Sequence, residues 1–139
     1  MKSSVYRAEL PFAVESVWEV MTDTSQYAWR SDLKCIETDN ETIFREIYPN
    51  GNETVFTITD KRPYSHYAFH MENKRFSGEW CGELQAQEDG SCLLLLEERI
   101  EIHNPIMRLA AGIAWNLTKI QQVYIHDLKE ELVRRNNCK

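Results

Sequence analysis

The chain has 139 residues, enough for one domain with a substantial core, and its 42% apolar, 11% aromatic and 27% charged residues are ordinary for a globular protein. Its formal net charge is -6 and no run of Lys and Arg exceeds two residues, so nucleic acid and anionic membranes are poor partners. The apolar runs are too short for membrane insertion, and the first residues hold no signal-peptide stretch, which predicts a cytoplasmic location.

The first part of the chain combines a strand with helical segments. Residues 3–10 alternate between apolar and polar side chains, which predicts a β-strand. After Pro11 apolar residues recur at helical spacing, which predicts a short helix that ends near Asp23. A second short turn is expected to carry Tyr27 and Trp29. The apolar positions of the first helix are Val14, Val17, Trp18 and Met21.

Residues 33–103 have the pattern of a series of antiparallel strands. Clusters of Gly, Pro, Asn and Asp divide this segment into about six strands, which together with the first strand make a sheet of about seven. The turn signals lie at residues 38–40, 49–52, 62–63, 72–74 and 89–90.

The C-terminal part of the chain predicts one long helix from Pro105 to about Arg135. Asn104 is a favourable cap, Pro is tolerated at the first helical position, and the only later glycine is Gly112. A helix with one apolar face must cover a broad apolar surface, and the sheet is the only candidate. The predicted apolar face consists of Ile106, Leu109, Ala110, Ile113, Leu117, Ile120, Tyr124 and Leu128.

Several segments, taken in chain order, resemble the START-like (SRPBCC) superfamily, which includes polyketide cyclases and dehydrases and lipid-transfer domains. The stretch VWEVMTD at residues 17–23, followed by Tyr27 and Trp29, resembles its first-helix region. The segments that resemble the polyketide cyclase/dehydrase branch are FSGEW at residues 76–80, the turn Asp89-Gly90-Ser91, the pair Glu97-Glu98 and the stretch NPIMR at residues 104–108.

This resemblance spans nearly the whole chain and implies an α+β helix-grip fold, with residues 1–139 forming a single START-like domain. In this fold a curved antiparallel sheet of about seven strands wraps around a long C-terminal helix, and two short helices follow the first strand. The resemblance further implies an internal cavity between sheet and helix that holds a hydrophobic ligand. The branch has no universal catalytic signature, so no active site is transferred by position.

The last predicted hairpin decides which way Glu98 points. A turn centred near Asp89 pairs Trp80 with Glu98 and Gly82 with Leu96, and this face is more apolar than the opposite one. Because side chains alternate along a strand, Glu98 is predicted to lie on the inner face.

Two alternatives remain open for this carboxyl group. A bulge near Glu97 would turn it outward, or it would form a buried structural ion pair. If it lies inside, it is either a neutral acid or paired with a cation, for which Arg45 and Lys34 are conceivable. A carboxyl group in an apolar pocket can recognise a ligand hydroxyl, amine or keto group or act as a general acid, which makes Glu98 the candidate catalytic residue.

Other inward-facing residues complete the predicted ligand-binding set, although each has plain core packing as its alternative. Gln121 and Tyr124 stand out because each places a polar group on an apolar stripe. Trp29 is expected to guard the cavity mouth. The predicted ligand-binding residues are Trp29, Phe56, Tyr67, Phe69, Trp80, Leu96, Glu98, Ile113, Leu117, Gln121 and Tyr124.

The Cys and His residues suggest neither a metal site nor a cofactor. The histidines are expected on the outer face of the sheet or the polar side of the helix, with no Asp or Glu placed to orient one. We interpret the four cysteines as reduced thiols that fill apolar space, because none has the spacing of a zinc site. They are Cys35, Cys81, Cys92 and Cys138.

These observations favour a binding module for a small hydrophobic molecule, such as a lipid, a polyketide or an aromatic compound, with no cofactor. The first alternative is a cyclase/dehydrase-type enzyme that uses Glu98 and Tyr124 as acid/base groups. The second is a protein-interaction domain, as in co-chaperone members of the superfamily. Leu93, Leu95 and Trp115 are expected on the outside, where they would either form a homodimer interface or be shielded by long neighbours.

Overall fold

The computed structural model describes residues 2–104, 106 and 116–137, which form one antiparallel sheet and two helices. The sheet has seven strands in the order β1-β7-β6-β5-β4-β3-β2, as expected of an α+β helix-grip fold. The elements are β1 (Lys2–Leu10), α1 (Val14–Thr22), β2 (Cys35–Thr38), β3 (Ile43–Ile47), β4 (Glu53–Arg62), β5 (His66–Glu72), β6 (Phe76–Ala86), β7 (Cys92–Ile102) and α2 (Leu117–Asn137).

The β6–β7 hairpin has the register that the sequence predicts. Its turn uses Gly90, whose φ of 87° suits a residue without a side chain, and the Asp89 carboxylate accepts hydrogen bonds from the Ser91 N–H and hydroxyl. Trp80 therefore pairs with Glu98, and this pair continues the apolar face.

The core lies between the inner face of the sheet and the two helices. The buried face of α1 packs against α2 and β6, and the Trp18 ring meets the Tyr67 ring edge-on at 5.9 Å. The buried face of α2 recurs every three or four positions, so one side of this helix covers the sheet. It contains Leu117, Gln121, Ile125, Leu128 and Leu132.

The resemblance implied a second short helix after β1. This prediction is wrong, because the described chain forms turns between α1 and β2. The Asp23 carboxylate accepts hydrogen bonds from the Ser25 N–H and hydroxyl. Asp and Ser side chains that bind nearby backbone in this way compete with helix formation. Further along, the Ser31 N–H donates to the Asp127 carboxylate of α2 instead of to a helical carbonyl.

The helix predicted from Pro105 to about Arg135 is not continuous, because Ile106 is helical, Asn116 is not, and α2 begins at Leu117. Asn116 is not helical, and its side-chain oxygen accepts a hydrogen bond from the Lys119 N–H at 3.1 Å, which makes it the N-cap. Residues 107–115 lie outside the described part, and they include Ile113 and Trp115.

The predicted apolar face of the helix is wrong at two described positions, since Ile106 is 77% and Ile120 43% exposed. The buried face runs instead through Gln121 and Ile125, one position further along. Leu93 lies on the outer face of the sheet, as predicted, and it is buried there between the cross-strand partners Glu9 and Gln85, which agrees with the shielding alternative. Long polar side chains commonly cover apolar surface in this way.

Candidate ligand-binding cavity

A cavity of about 1150 Å³ lies between the inner face of the sheet and α2. It reaches the surface beside two exposed strand connections, at residues 50–53 and 72–75. Its volume exceeds the 300–1000 Å³ or so of ordinary ligand pockets, so a sizeable organic molecule has room inside. The predicted site residues that line it are Trp29, Phe56, Tyr67, Phe69, Trp80, Leu96, Glu98, Gln121 and Tyr124.

The other two predicted site residues are not on this wall. Leu117 is a buried core residue outside the lining, and Ile113 falls outside the described residues. The role of every predicted residue as a ligand contact stays a prediction.

The floor of the cavity is made of stacked aromatic rings on adjacent strands. The Phe69 and Trp80 rings are parallel with centroids 4.7 Å apart, and the Phe44 and Phe56 rings are parallel at 5.0 Å. A side chain at Gly82 would meet the Trp80 ring, so the glycine leaves room for the indole. The two stacked pairs meet edge-to-face, with the Phe56 and Phe69 ring centroids 4.9 Å apart, so the four rings form one continuous apolar surface.

Arg30 and Glu46 form a buried ion pair in the cavity wall that sequence reasoning missed. One guanidinium nitrogen of Arg30 lies 3.2 Å from the Glu46 carboxylate, and the other edge binds Asp32 at 3.0 Å. The guanidinium also lies 5.1 Å from the centre of the Tyr124 ring, a cation–π distance. The inward direction of Glu46 could have been predicted from the alternation of side chains along β3, because Glu46 lies two residues after the inward-facing Phe44.

Glu98 points into the cavity, as predicted, and is 7% exposed. Burial, together with repulsion from the Glu46 carboxylate, raises the pKa of Glu98 to about 7. Among the described residues no hydrogen bond or ion pair joins its carboxylate. Neither of the two conceivable cations is its partner, since Arg45 binds Glu37, Asp39 and Glu53, and Lys34 is exposed.

Gln121 is the buried polar residue of α2 that faces the same wall. Its amide N–H donates to the backbone carbonyl of Ser4 at 3.1 Å, and its side-chain oxygen has no partner among the described residues. Ser4 is the register partner of Glu98 across the β1–β7 pair. The Gln121 amide therefore lies beside the strand position that carries Glu98.

Two tyrosines contribute phenol groups to the cavity. Burial raises the pKa of Tyr67 and of Tyr124 far above the ordinary value of 10.0, so both keep their protons at neutral pH. The Tyr124 ring also contacts the Trp29 and Trp80 rings, which links the loop before β2 to the aromatic floor.

A second polar cluster lies on the outer face of the sheet, and it overturns the expectation that no acid orients a histidine. His66 Nδ1 lies 2.7 Å from the Asp60 carboxylate, and His66 Nε2 lies 3.1 Å from the Cys81 sulfur. The sequence missed this because a bulge between Ile58 and Asp60 reverses the parity of β4. Burial and the nearby Glu83 carboxylate raise the pKa of Cys81, so the thiol stays protonated.

In the part of the chain that the structure describes, neither a metal-binding cluster nor a membrane-spanning helix is found. Within residues 2–104, 106 and 116–137, no three His, Cys, Asp or Glu side chains come together to hold a metal ion. The described helices include none with the length and apolar character needed to cross a bilayer.

Comparison with known proteins identifies the fold. No protein-family model and no curated protein matches the chain. Among solved structures, a conserved protein from Geobacillus kaustophilus is 18% identical, with 96% of each chain covered and a TM-score of 0.79. A START superfamily protein from Mycobacterium smegmatis is 13% identical, with 95% of this chain and 97% of that chain covered and a TM-score of 0.73.

A third structure with the same architecture is the Zhui aromatase/cyclase from Streptomyces sp. R1128. It is 12% identical, with 96% of this chain and 94% of that chain covered and a TM-score of 0.79. At these identities the likeness concerns the backbone and its order of elements. The chain therefore has the START-like helix-grip fold.

Proposed function

We propose that the protein binds a small hydrophobic molecule in the cavity between the sheet and α2. The observation that carries this proposal is the size of the cavity, about 1150 Å³, above a floor of stacked aromatic rings. A protein gains stability by filling such space with its own side chains, so a hollow of this size favours a ligand. The START superfamily protein and the aromatase/cyclase with the same fold add support.

The test is the binding of N-phenyl-1-naphthylamine, an uncharged apolar probe whose fluorescence rises in apolar surroundings. We expect one probe per chain, and we expect Leu96→Phe to weaken binding roughly tenfold because the larger ring occupies part of the cavity. Val5→Phe is the control, since Val5 is 67% exposed and lies outside the cavity lining. Absence of binding, or equal loss in both variants, would exclude the cavity as the site.

A cyclase/dehydrase-type enzyme is the second candidate function. It is favoured by the pKa of about 7 at Glu98, because an acid/base catalyst works best when its pKa is near the ambient pH. Buried phenols at Tyr67 and Tyr124 would supply hydrogen bonds to a carbonyl oxygen.

Mass spectrometry of a molecule that co-purifies with the protein separates the two candidates. A carrier returns the molecule unchanged after prolonged incubation. A dehydrase returns it lighter by one water, and Glu98→Gln would stop that loss while the molecule still binds.

A further inference from the structure

Two polar side chains in the cavity wall have hydrogen-bonding capacity that the described residues do not use. Gln121 is 1% exposed, and because the Ser4 carbonyl can only accept, the amide nitrogen must face Ser4 and the unpartnered atom is the oxygen. The Glu98 carboxylate likewise has no described partner, and in its ionised form it can only accept hydrogen bonds. Both groups therefore offer acceptors.

These acceptors lie at one corner of the cavity, which we call the acceptor corner and define by Glu98 and Gln121. Ser4 joins them, since it pairs with Glu98 across the strands and accepts the Gln121 hydrogen bond. The Ser4 hydroxyl lies 2.9 Å from that of Thr118 on α2, which fixes the helix over this strand pair. Glu98 and Gln121, which both line the cavity, are thus both neighbours of Ser4.

Arg30 attracts the Glu98 carboxylate through space, but no cation among the described residues of the cavity wall forms an ion pair with it. Arg30 is committed to two carboxylates, those of Asp32 and Glu46. The other cations in the described lining, Lys74 and Arg75, are exposed where the cavity reaches the surface. The interior wall thus has an excess of negative charge once Glu98 is ionised, and an anionic group there would meet unpaired acceptors and repulsion.

We propose that the ligand has a hydrogen-bond-donating cationic head, an amine, which binds at the acceptor corner while its apolar body lies on the aromatic floor. This inference depends on the proposed function and narrows it to one ligand class. An ammonium group donates up to three hydrogen bonds and forms charge-assisted bonds with a carboxylate, so it matches a carboxylate and an amide oxygen together. Fatty acids and acyl phosphates are the classes that the same corner disfavours.

The test uses three probes that share a naphthalene body and differ in the head: 1-naphthylmethylamine, 1-naphthalenemethanol and 1-naphthoate. Calorimetric titration is done at about pH 8, above the pKa of Glu98. We expect the amine to bind roughly tenfold more tightly than the alcohol, and the naphthoate to bind most weakly. Glu98→Gln should bring the amine down to the affinity of the alcohol.

Glu97→Gln is the matched control, because it removes the same charge from the next residue of β7, which is exposed on the other face. The amine inference would be overturned if the three probes bound equally, if naphthoate were preferred, or if Glu97→Gln also lost the amine preference. Hydrophobic binding would remain established in each of these cases. Binding of none of the three would overturn the proposed function itself.

Discussion

At Glu98 a single carboxyl group lies among aromatic and aliphatic side chains on the inner face of the sheet. In the unfolded chain its pKa is the ordinary 4.5, and in the folded protein burial raises it to about 7. The folded state therefore binds more protons than the unfolded state between these two values. Its stability falls as the pH rises through this window, which is opposite to the behaviour of a salt-bridged carboxylate.

We expect Glu98→Gln to remove this pH dependence. Above about pH 7 the ionised carboxylate costs the fold about 3 kcal/mol, so the free energy of unfolding of the variant should exceed that of the parent by up to that amount. Urea unfolding across pH 4.5 to 8 measures the difference. Glu97→Gln is the control, and a parent protein whose stability rises between pH 5 and 7 relative to Glu98→Gln would contradict the prediction.

At the Arg30–Glu46 pair we expect removal of one charge to destabilise the fold, in contrast to Glu98, because each charge of the pair is neutralised by the other. Arg30→Met leaves the buried Glu46 carboxylate without its cation, and breaking a buried pair in this way costs about 3–5 kcal/mol. The double variant Arg30→Met with Glu46→Gln removes both charges and should recover much of that loss. Chemical unfolding of both variants measures the recovery, and equal losses would show that the pair does not act as a unit.

At the scale of elements, the segment between α1 and β2 is tied to the C-terminal helix by a latch, which we define as Ser31 and Asp127. The Asp127 carboxylate accepts the Ser31 N–H at 2.8 Å and its hydroxyl at 2.7 Å. This segment carries Trp29 and Arg30 to the cavity wall, so the latch positions one side of the candidate site.

Removing the latch should loosen this segment more than the rest of the fold. Ser31→Ala removes one of the two hydrogen bonds and should cost about 1 kcal/mol, whereas Asp127→Ala removes both and should cost up to about 3 kcal/mol. Hydrogen exchange at residues 23–34 should accelerate in the same order. Lys129→Ala, on the exposed side of α2, is the control, and exchange that stays at the control's level would contradict the prediction.

Helices and strands were predictable where the local sequence pattern agrees with the packing in the fold. The Asp89-Gly90 turn and the alternation on either side of it fix the β6–β7 register, so the inward direction of Glu98 followed from sequence. The failures arise where one residue changes the phase of a pattern. The bulge after Ile58 turns Asp60 outward, and the cap at Asn116 starts α2 twelve residues after Pro105.

At the scale of the whole molecule, most of the cavity wall was predictable, whereas its electrostatics was not. Alternation placed the rings of Phe56, Phe69 and Trp80 on one face, because a half-buried sheet imposes it. The ion pair of Arg30 with Glu46 joins residues from a turn segment and a strand, and its geometry depends on how that segment docks onto α2. No local periodicity encodes such a contact.

The cavity also links ligand binding to the stability of the whole fold. A molecule that binds only the folded state adds about 2.7 kcal/mol to the free energy of unfolding when its concentration is a hundredfold above Kd. For a domain of this length that is a rise of roughly 8 °C in Tm. We expect this rise for N-phenyl-1-naphthylamine with the parent and with Val5→Phe, and a smaller one for Leu96→Phe at the same probe concentration. Differential scanning calorimetry measures it, and a Tm that does not move with probe concentration would show that the hollow between sheet and helix takes up no apolar guest.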